Sequence, residues 1–178
     1  MRLRPQPNAA PAGSDVVTAD AEPPPGYVSV EWDQLVAPGF SSDDIWARYA
    51  DQLEAVEWGS PEANAIYDQM QAESLDAASI NTEMDGQKVQ MVGFVAPLSY
   101  ETDVITEFLL VPFFGACIHV PPPPANQTIM VTLDEGMSLD DSYGMVLVTG
   151  TMSLDMVETG IGTASYSLTN GAYRVASY

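Results

Sequence analysis

Two side chains that can bind metals or act as nucleophiles stand two positions apart in this chain. Cys117 and His119 are the only cysteine and the only histidine among its 178 residues. If the backbone around them is extended, both side chains point to the same face, because successive side chains of a strand alternate. Thiolate and imidazole are ligands that Zn²⁺ and copper accept. The pair therefore predicts a transition-metal site that holds Zn²⁺ or copper.

The residues that surround the pair could shape such a site. A glycine before it permits an unusual backbone dihedral or a close approach of the backbone. The proline run after it lacks amide donors and cannot form a central strand. We expect that run to lie along an edge or a surface as a polyproline II segment that holds His119 in place. The residues expected to build this motif or to contact a partner are Gly115, Pro121, Pro122, Pro123, Pro124, Asn126 and Gln127.

Three alternatives for the pair stay open. A zinc site needs three or four protein ligands, so Glu107, Asn126, Gln127, a methionine or a partner chain would have to complete it. Alternatively, Cys117 is a small buried apolar residue and His119 a hydrogen-bonded core residue. A catalytic Cys–His pair is the third possibility, but no protease signature surrounds it, and no phosphate-binding loop, G-x-S-x-G or H-E-x-x-H occurs elsewhere. We expect a protein that is not an enzyme.

The chain is strongly acidic, with 25 Asp and Glu against 5 Lys and Arg and a formal net charge of −20. Nucleic-acid binding depends on Lys and Arg that displace counterions, so we expect no nucleic-acid partner. The same field disfavours anionic membranes and attracts cations or basic partners. No apolar run approaches the roughly 18 residues of a membrane helix, so we expect no transmembrane segment.

The N-terminal 80 residues divide into two predicted parts. Residues 1–26 are rich in Ala, Pro, Gly and Asp, which predicts a disordered tether. Their basic start lacks the apolar region of a signal peptide, so either the protein is cytosolic or a longer N-terminus precedes this one. Residues 27–80 begin with an anchoring segment in which Trp32 and Leu35 are expected to dock onto the main body.

Two amphipathic helices follow within residues 27–80. In DDIWARYADQLEAVEWG the apolar residues recur at helical spacing, and Gly59 is expected to end the helix. Ser41 or Ser42 is the expected cap of this helix. In the second helix, Ser60 is the expected cap and Pro61 the first helical residue.

From residue 81 the apolar period becomes two. Strands are predicted in MDGQKVQMVGFVAPL, after a turn at Asp85-Gly86, and in TDVITEFLLVPF, QTIMVTL and MVLVTGTMSL, with one or two more in ASYSLTNGAYRVASY. The second has a near-continuous apolar run, which predicts burial on both faces, and Gly93 in the first predicts a bend or bulge. Residues 81–178 are therefore expected to form a small antiparallel OB-like β-barrel. The predicted fold class is mainly β, of the α+β type, with an N-terminal helical pair.

Several of these segments resemble the bacterial family of unknown function DUF3299. The resemblance covers about residues 28–178 outside the helices, and it is most specific in FLLVPFFGACIHVPPPPANQ. This chain departs from the family pattern, which usually has tyrosine at Phe113 or Phe114 and often proline at Ala125. The resemblance implies an exported or lipid-anchored protein of Gram-negative bacteria, located in the periplasm or on the envelope. It also implies, for some members, proximity to ABC-transporter components.

Together these observations predict a non-enzymatic accessory protein of the cell envelope. It would bind a transition metal through Cys117 and His119 beside an ABC-type transport system, with a protein partner in the envelope. The alternative is a structural protein–protein interaction module. In that case the acidic helices and the proline edge bind the partner, and Cys117 and His119 are core residues.

Overall fold

The computed structural model of the chain describes residues 16–40, 42–74, 79–99, 103–116 and 122–177. Its α-helices are α1 (Ser42–Glu54) and α2 (Pro61–Ser74). Its strands are β1 (Val17–Thr18), β2 (Val28–Ser29), β3 (Lys88–Pro97), β4 (Val104–Val111), β5 (Ile129–Ser138), β6 (Met145–Ser153), β7 (Val157–Glu158), β8 (Thr163–Ala164) and β9 (Tyr166–Ser177). Short 3-10 helices span Trp32–Leu35, Thr82–Met84, Ala125–Gln127 and Asp140–Tyr143.

Five long strands close a barrel. β3 pairs antiparallel with β4 and with β6, and β4 pairs antiparallel with β5. β9 completes the ring, because it pairs antiparallel with β6 and parallel with β5. The predicted OB-like barrel is confirmed, with one parallel pair where the sequence predicted antiparallel pairing throughout.

The apolar pattern of each strand fixes which face is inside. Ile129, Val131 and Leu133 of β5 alternate into the main core, as the period of two requires. In β4, Phe108 and Leu110 enter that core, whereas Leu109 and Val111 belong to a second apolar cluster outside it. The prediction that the strand around FLLV is buried on both faces is therefore confirmed.

Gly93 does not mark a bulge, contrary to the prediction. β3 and β6 stay in continuous register from Lys88 to Phe94. A Cβ at position 93 would lie 2.9 Å from the side chain of Leu110 and from the carbonyl oxygen of Val111. Glycine is needed here because β4 packs so closely against β3.

The predicted tether is packed over its C-terminal part. Residues 16–29, which we call the strap, run along the outside of the barrel, with β1 parallel to β9 and β2 parallel to β3. The buried Gln90 side chain donates a 2.6 Å hydrogen bond to the carbonyl of Ala21. Val17 and Ala19 pack on an outer apolar cluster that includes Leu147. Residues 1–15 of the predicted tether lie outside the described residues.

The anchoring segment docks as predicted. Leu35 is fully buried, and the indole N–H of Trp32 donates a 2.8 Å hydrogen bond to the carbonyl of Val92 in β3. The segment is a short 3-10 helix after β2.

Both predicted helices are present. α1 ends at Glu54, before the predicted stop at Gly59, which has φ 77° in the turn that leads to α2. The hydroxyl of Ser60 accepts a hydrogen bond from the amide of Ala63, so this serine caps α2 as predicted. Ser41, one of the two expected caps of α1, lies outside the described residues.

Charged and polar contacts join the two helices. Arg48 of α1 forms a 2.7 Å ion pair with Glu73 of α2, and the Tyr49 hydroxyl donates to the same carboxylate at 2.6 Å. Over the described ranges, no helix combines the length and the apolar character that crossing a membrane requires.

Candidate functional site

The residues predicted to form the site lie in one loop between β4 and β5. We call residues 112–128 the motif loop. Cys117, His119 and Pro121 lie outside the described residues, so the predicted metal pair stays a prediction. The structure does describe the residues that lead into and out of this stretch, 112–116 and 122–128.

On its entry side the motif loop combines exposed rings with a buried turn. Phe113 and Phe114 are 44% and 66% exposed, and the Phe114 ring stands edge-on to Phe94 with the centroids 6.0 Å apart. Gly115 has φ 81°, a left-handed conformation that glycine adopts without strain. Ala116 is 1% exposed and packs in the second apolar cluster. The chain therefore enters residues 117–121 from a fixed, buried position.

On the exit side the last two prolines of the run are buried rather than displayed on an edge. Pro123 and Pro124 are buried and Pro122 is half-buried. Pro124 has φ −53° and ψ 151°, close to the polyproline II conformation that the sequence predicted. The predicted surface position is wrong for Pro123 and Pro124, because α2 and the anchoring segment contact this part of the loop.

A short 3-10 helix, Ala125–Gln127, ties the exit side to three distant parts of the chain. The Gln127 side-chain amide donates a 2.8 Å hydrogen bond to the carbonyl of Trp32 in the anchoring segment. The Ala125 carbonyl accepts a 2.9 Å hydrogen bond from the amide of Ser165, which follows the β7–β8 hairpin. The Asn126 side-chain amide donates at 3.4 Å to the carbonyl of Ser79, downstream of α2.

Two buried polar atoms beside this turn have no hydrogen-bond partner among the described residues. They are Oδ1 of Asn126, a residue with no exposed surface, and Oγ of Ser165. Buried polar atoms are nearly always hydrogen-bonded, and leaving one unpaired costs about 1–3 kcal/mol. Of the residues proposed to complete a metal site, Asn126 therefore has an available buried oxygen.

The other predicted ligands are placed differently. Glu107 is exposed on β4, opposite Thr132 of β5. The side-chain amide of Gln127 is engaged with Trp32. Among the described residues, no three or more His, Cys, Asp and Glu side chains form a group that could hold a metal ion.

Tyr166, the first residue of β9, is fully buried and forms hydrogen bonds through its hydroxyl. Its hydroxyl donates to the carbonyl of Leu35 and accepts a 2.8 Å hydrogen bond from the amide of Asn81. Burial raises the pKa of this hydroxyl to about 12, because the charged phenolate is disfavoured away from water. The hydroxyl is therefore a structural group, whose hydrogen bonds join the barrel to the segments before it.

Sequence reasoning missed the β7–β8 hairpin as part of the surroundings of the motif loop. Ala164 of β8 shares an apolar cluster with Ala116, and Ser165 holds the turn at Ala125. No local signal could have shown this, because the hairpin lies some forty residues further along the chain.

The barrel and the motif loop define a small OB-like protein whose proline-rich loop is buried at Pro123 and Pro124. The family model DUF3299, a protein of unknown function, matches residues 32–174. The chain belongs to the DUF3299 family. The crystal structure of a DUF3299 family protein from Pseudomonas aeruginosa PAO1 aligns with a TM-score of 0.58 and 29% sequence identity, covering 82% of this chain and 94% of that chain. No curated protein matches the chain significantly.

Proposed function

We propose that the protein is a non-enzymatic accessory protein of the cell envelope that binds Zn²⁺ or copper through Cys117 and His119. The observation that carries the proposal is that the only cysteine and the only histidine of the chain stand between two tightly packed parts of one loop. In this proposal the protein works beside an ABC-type transport system.

Packing on both sides of the pair supports a binding role. Ala116 before it and Pro123, Pro124 and Asn126 after it are all buried. Metal ligands need to be held in place by the residues around them, because precise geometry decides affinity. A loop whose two ends are fixed loses less conformational freedom when it takes up an ion than a free loop does.

The acidic surface and one unpaired oxygen add further support. A formal charge of −20 raises the local concentration of cations. Oδ1 of Asn126 is buried without a hydrogen-bond partner in the part of the chain that the structure describes, and we propose it as a ligand or as an acceptor from a ligand. A methionine or a partner chain would supply the remaining donor. The envelope location and the transport partner are supported by the family resemblance alone.

A structural interaction module is the second candidate function. The buried flanks Ala116 and Ala125 favour it, since they belong to packed parts of the fold. In this case Cys117 and His119 belong to the core, and the exposed rings of Phe113 and Phe114 contact a protein partner.

Metal titration of the purified chain separates the two functions. Co²⁺ in an excess of Mg²⁺ is the first probe, because Mg²⁺ occupies unspecific carboxylates and only a thiolate gives a sulfur-to-cobalt charge-transfer band. We expect this band at one ion per chain, and competition by Zn²⁺. Cys117→Ser should abolish the band and His119→Ala should lower the affinity below detection. The control is the double variant Asp134→Asn with Glu135→Gln, which changes two exposed carboxylates away from the motif loop. It should leave the charge-transfer band and the affinity unchanged.

The opposite result supports the second function. Without a charge-transfer band, and with equal Co²⁺ binding by all variants, the metal site is excluded. Cys117→Ser should then lower the free energy of unfolding by about 1–3 kcal/mol, because it buries an unpaired hydroxyl.

A further inference from the structure

The helical pair carries an exposed cluster of rings, which we call the aromatic patch: Trp46, Trp58 and Tyr67. Trp46 and Trp58 both stand edge-on to Tyr67, with centroids 6.4 Å and 5.9 Å from it. Trp58 is 66% exposed and Trp46 is 41% exposed. Two tryptophans that keep this much surface in water are unusual, because tryptophan is highly buried on average.

The two tryptophans of the aromatic patch are not part of the buried face of the helices. Ile45 is fully buried, and Ala63 and Met70 are 1% and 3% exposed. The helical pair therefore already has a buried face, and Trp46 and Trp58, on either side of the half-buried Tyr67, keep a second surface that the packing of the described residues leaves exposed. Tryptophan and tyrosine are also the residue types that most often dominate binding energy at protein interfaces.

The charge around the aromatic patch is strongly negative. Residues 42–74 contain eight acidic side chains and one basic side chain, Arg48, which is paired with Glu73 at 2.7 Å. Asp43 lies three residues before Trp46 in α1, which puts the two on one helical face. Glu57 directly precedes Trp58, and both acids are exposed.

The exposed rings and the acidic side chains around them together favour a partner with cationic side chains. A cation over an aromatic face is attracted by the ring, and arginine also stacks on it. Carboxylates at the rim pair with the same cation. A second copy of this chain would bring its own charge of −20 to the patch, and anionic membranes and nucleic acids are repelled for the same reason.

We propose that the aromatic patch docks an arginine- or lysine-containing segment of a protein partner. The inference goes beyond the metal proposal and does not depend on it, because it involves neither Cys117 nor His119. The aromatic rings provide the contact area, and the surrounding carboxylates select a basic sequence.

A labelled hexa-arginine peptide is the probe, titrated with the full chain at physiological salt and read by fluorescence anisotropy. Trp58→Ala and Trp46→Ala should each weaken binding roughly tenfold, which corresponds to the loss of one good cation–π contact. Tyr143→Ala is the matched control, since this ring is 62% exposed and also stands beside acids, Asp140 and Asp141. It should bind like the wild type.

A second pair of variants separates the patch from net charge. Asp43→Asn with Glu57→Gln removes two charges at the aromatic patch, and Asp134→Asn with Glu135→Gln removes two elsewhere. All four residues are exposed, so the fold should be unaffected. We expect the first pair to weaken binding several-fold and the second to have a clearly smaller effect. Equal weakening by both pairs, or wild-type binding by Trp58→Ala, would overturn the proposal, because the peptide would then be responding to overall charge.

Discussion

At the scale of single residues, two neighbours in the motif loop have opposite roles. Asn126 and Gln127 are both candidate ligands in the sequence, because both are amides beside the Cys–His pair. The structure separates them, since Gln127 holds the carbonyl of Trp32, 95 positions away, whereas Asn126 has a buried oxygen that no described residue pairs with. The sequence identified the segment but not this division, because each hydrogen bond depends on a residue far away in the chain.

The bond from Gln127 to Trp32 leads to a prediction about the anchoring segment. Gln127→Ala should lower the free energy of unfolding by about 1–2 kcal/mol, because it removes a hydrogen bond and leaves the Trp32 carbonyl without that donor. Gln87→Ala is the control. Its side-chain amide also donates to a backbone carbonyl, that of Glu83 at 3.0 Å, but on the surface. This change should cost less than about 0.5 kcal/mol.

Urea unfolding at neutral pH measures both values. If Gln127→Ala costs no more than Gln87→Ala, the anchoring segment is held by Leu35 and by the indole hydrogen bond of Trp32, and the motif loop does not support it.

At the scale of elements, a local sequence pattern predicts that a helix or strand is present better than it predicts where the element ends or why a given residue is needed in it. The period-two segments became the five barrel strands, because one buried face sets that period. The end of α1 was missed by five residues, since it lies at Glu54 and not at Gly59. The role of Gly93 was missed because it depends on how closely Leu110 of β4 approaches, which a single strand's sequence does not contain.

The close packing of β3 and β4 can be tested at Gly93. Gly93→Ala should lower the free energy of unfolding by about 1–3 kcal/mol, because the added methyl group would stand 2.9 Å from Leu110 and the Val111 carbonyl. Gly144→Ala is the matched control, since no atom lies within 4 Å of a Cβ there and its φ is −108°. It should change stability by less than about 0.5 kcal/mol.

Chemical denaturation of the two variants gives the comparison. Equal stability of Gly93→Ala and Gly144→Ala would show that β4 can move away from β3 at little cost. The glycine of VGFV would then have no packing role.

At the scale of the whole molecule, the segments before β3 pack on the outside of the closed barrel. Residues 16–26 have the composition of a disordered chain, yet they pack against the barrel. The reason is non-local, because β9 and β3 leave backbone groups that β1 and β2 pair with, and Val17 and Ala19 cover apolar surface around Leu147. Composition reports how little apolar surface a segment has, but not whether a neighbouring surface needs covering.

Tyr166 connects these parts, and its pKa makes the connection measurable. Its hydroxyl joins β9 to Leu35 and Asn81, and burial raises its pKa from 10.0 to about 12. In the unfolded chain this hydroxyl loses its proton from about pH 10 upward, whereas the folded chain keeps it. The unfolded state therefore gains stability as the pH rises. The contribution of Tyr166 to folding is complete below pH 10 and is lost between pH 10 and about 12.

We expect the wild-type free energy of unfolding to fall by about 2–3 kcal/mol from Tyr166 alone across that window. Tyr166→Phe should be less stable at neutral pH, because Leu35 and Asn81 lose a partner, and it should show a shallower decline above pH 10. Some decline persists in the variant, since burial also raises the pKa values of Tyr67 and Tyr173. Urea unfolding at several pH values below and within the window measures both slopes, with Tyr143→Phe as the control for an exposed hydroxyl. Parallel curves for wild type and Tyr166→Phe would mean that this tyrosine ionises as easily in the folded protein as in the unfolded chain, and that the junction it forms is open to water.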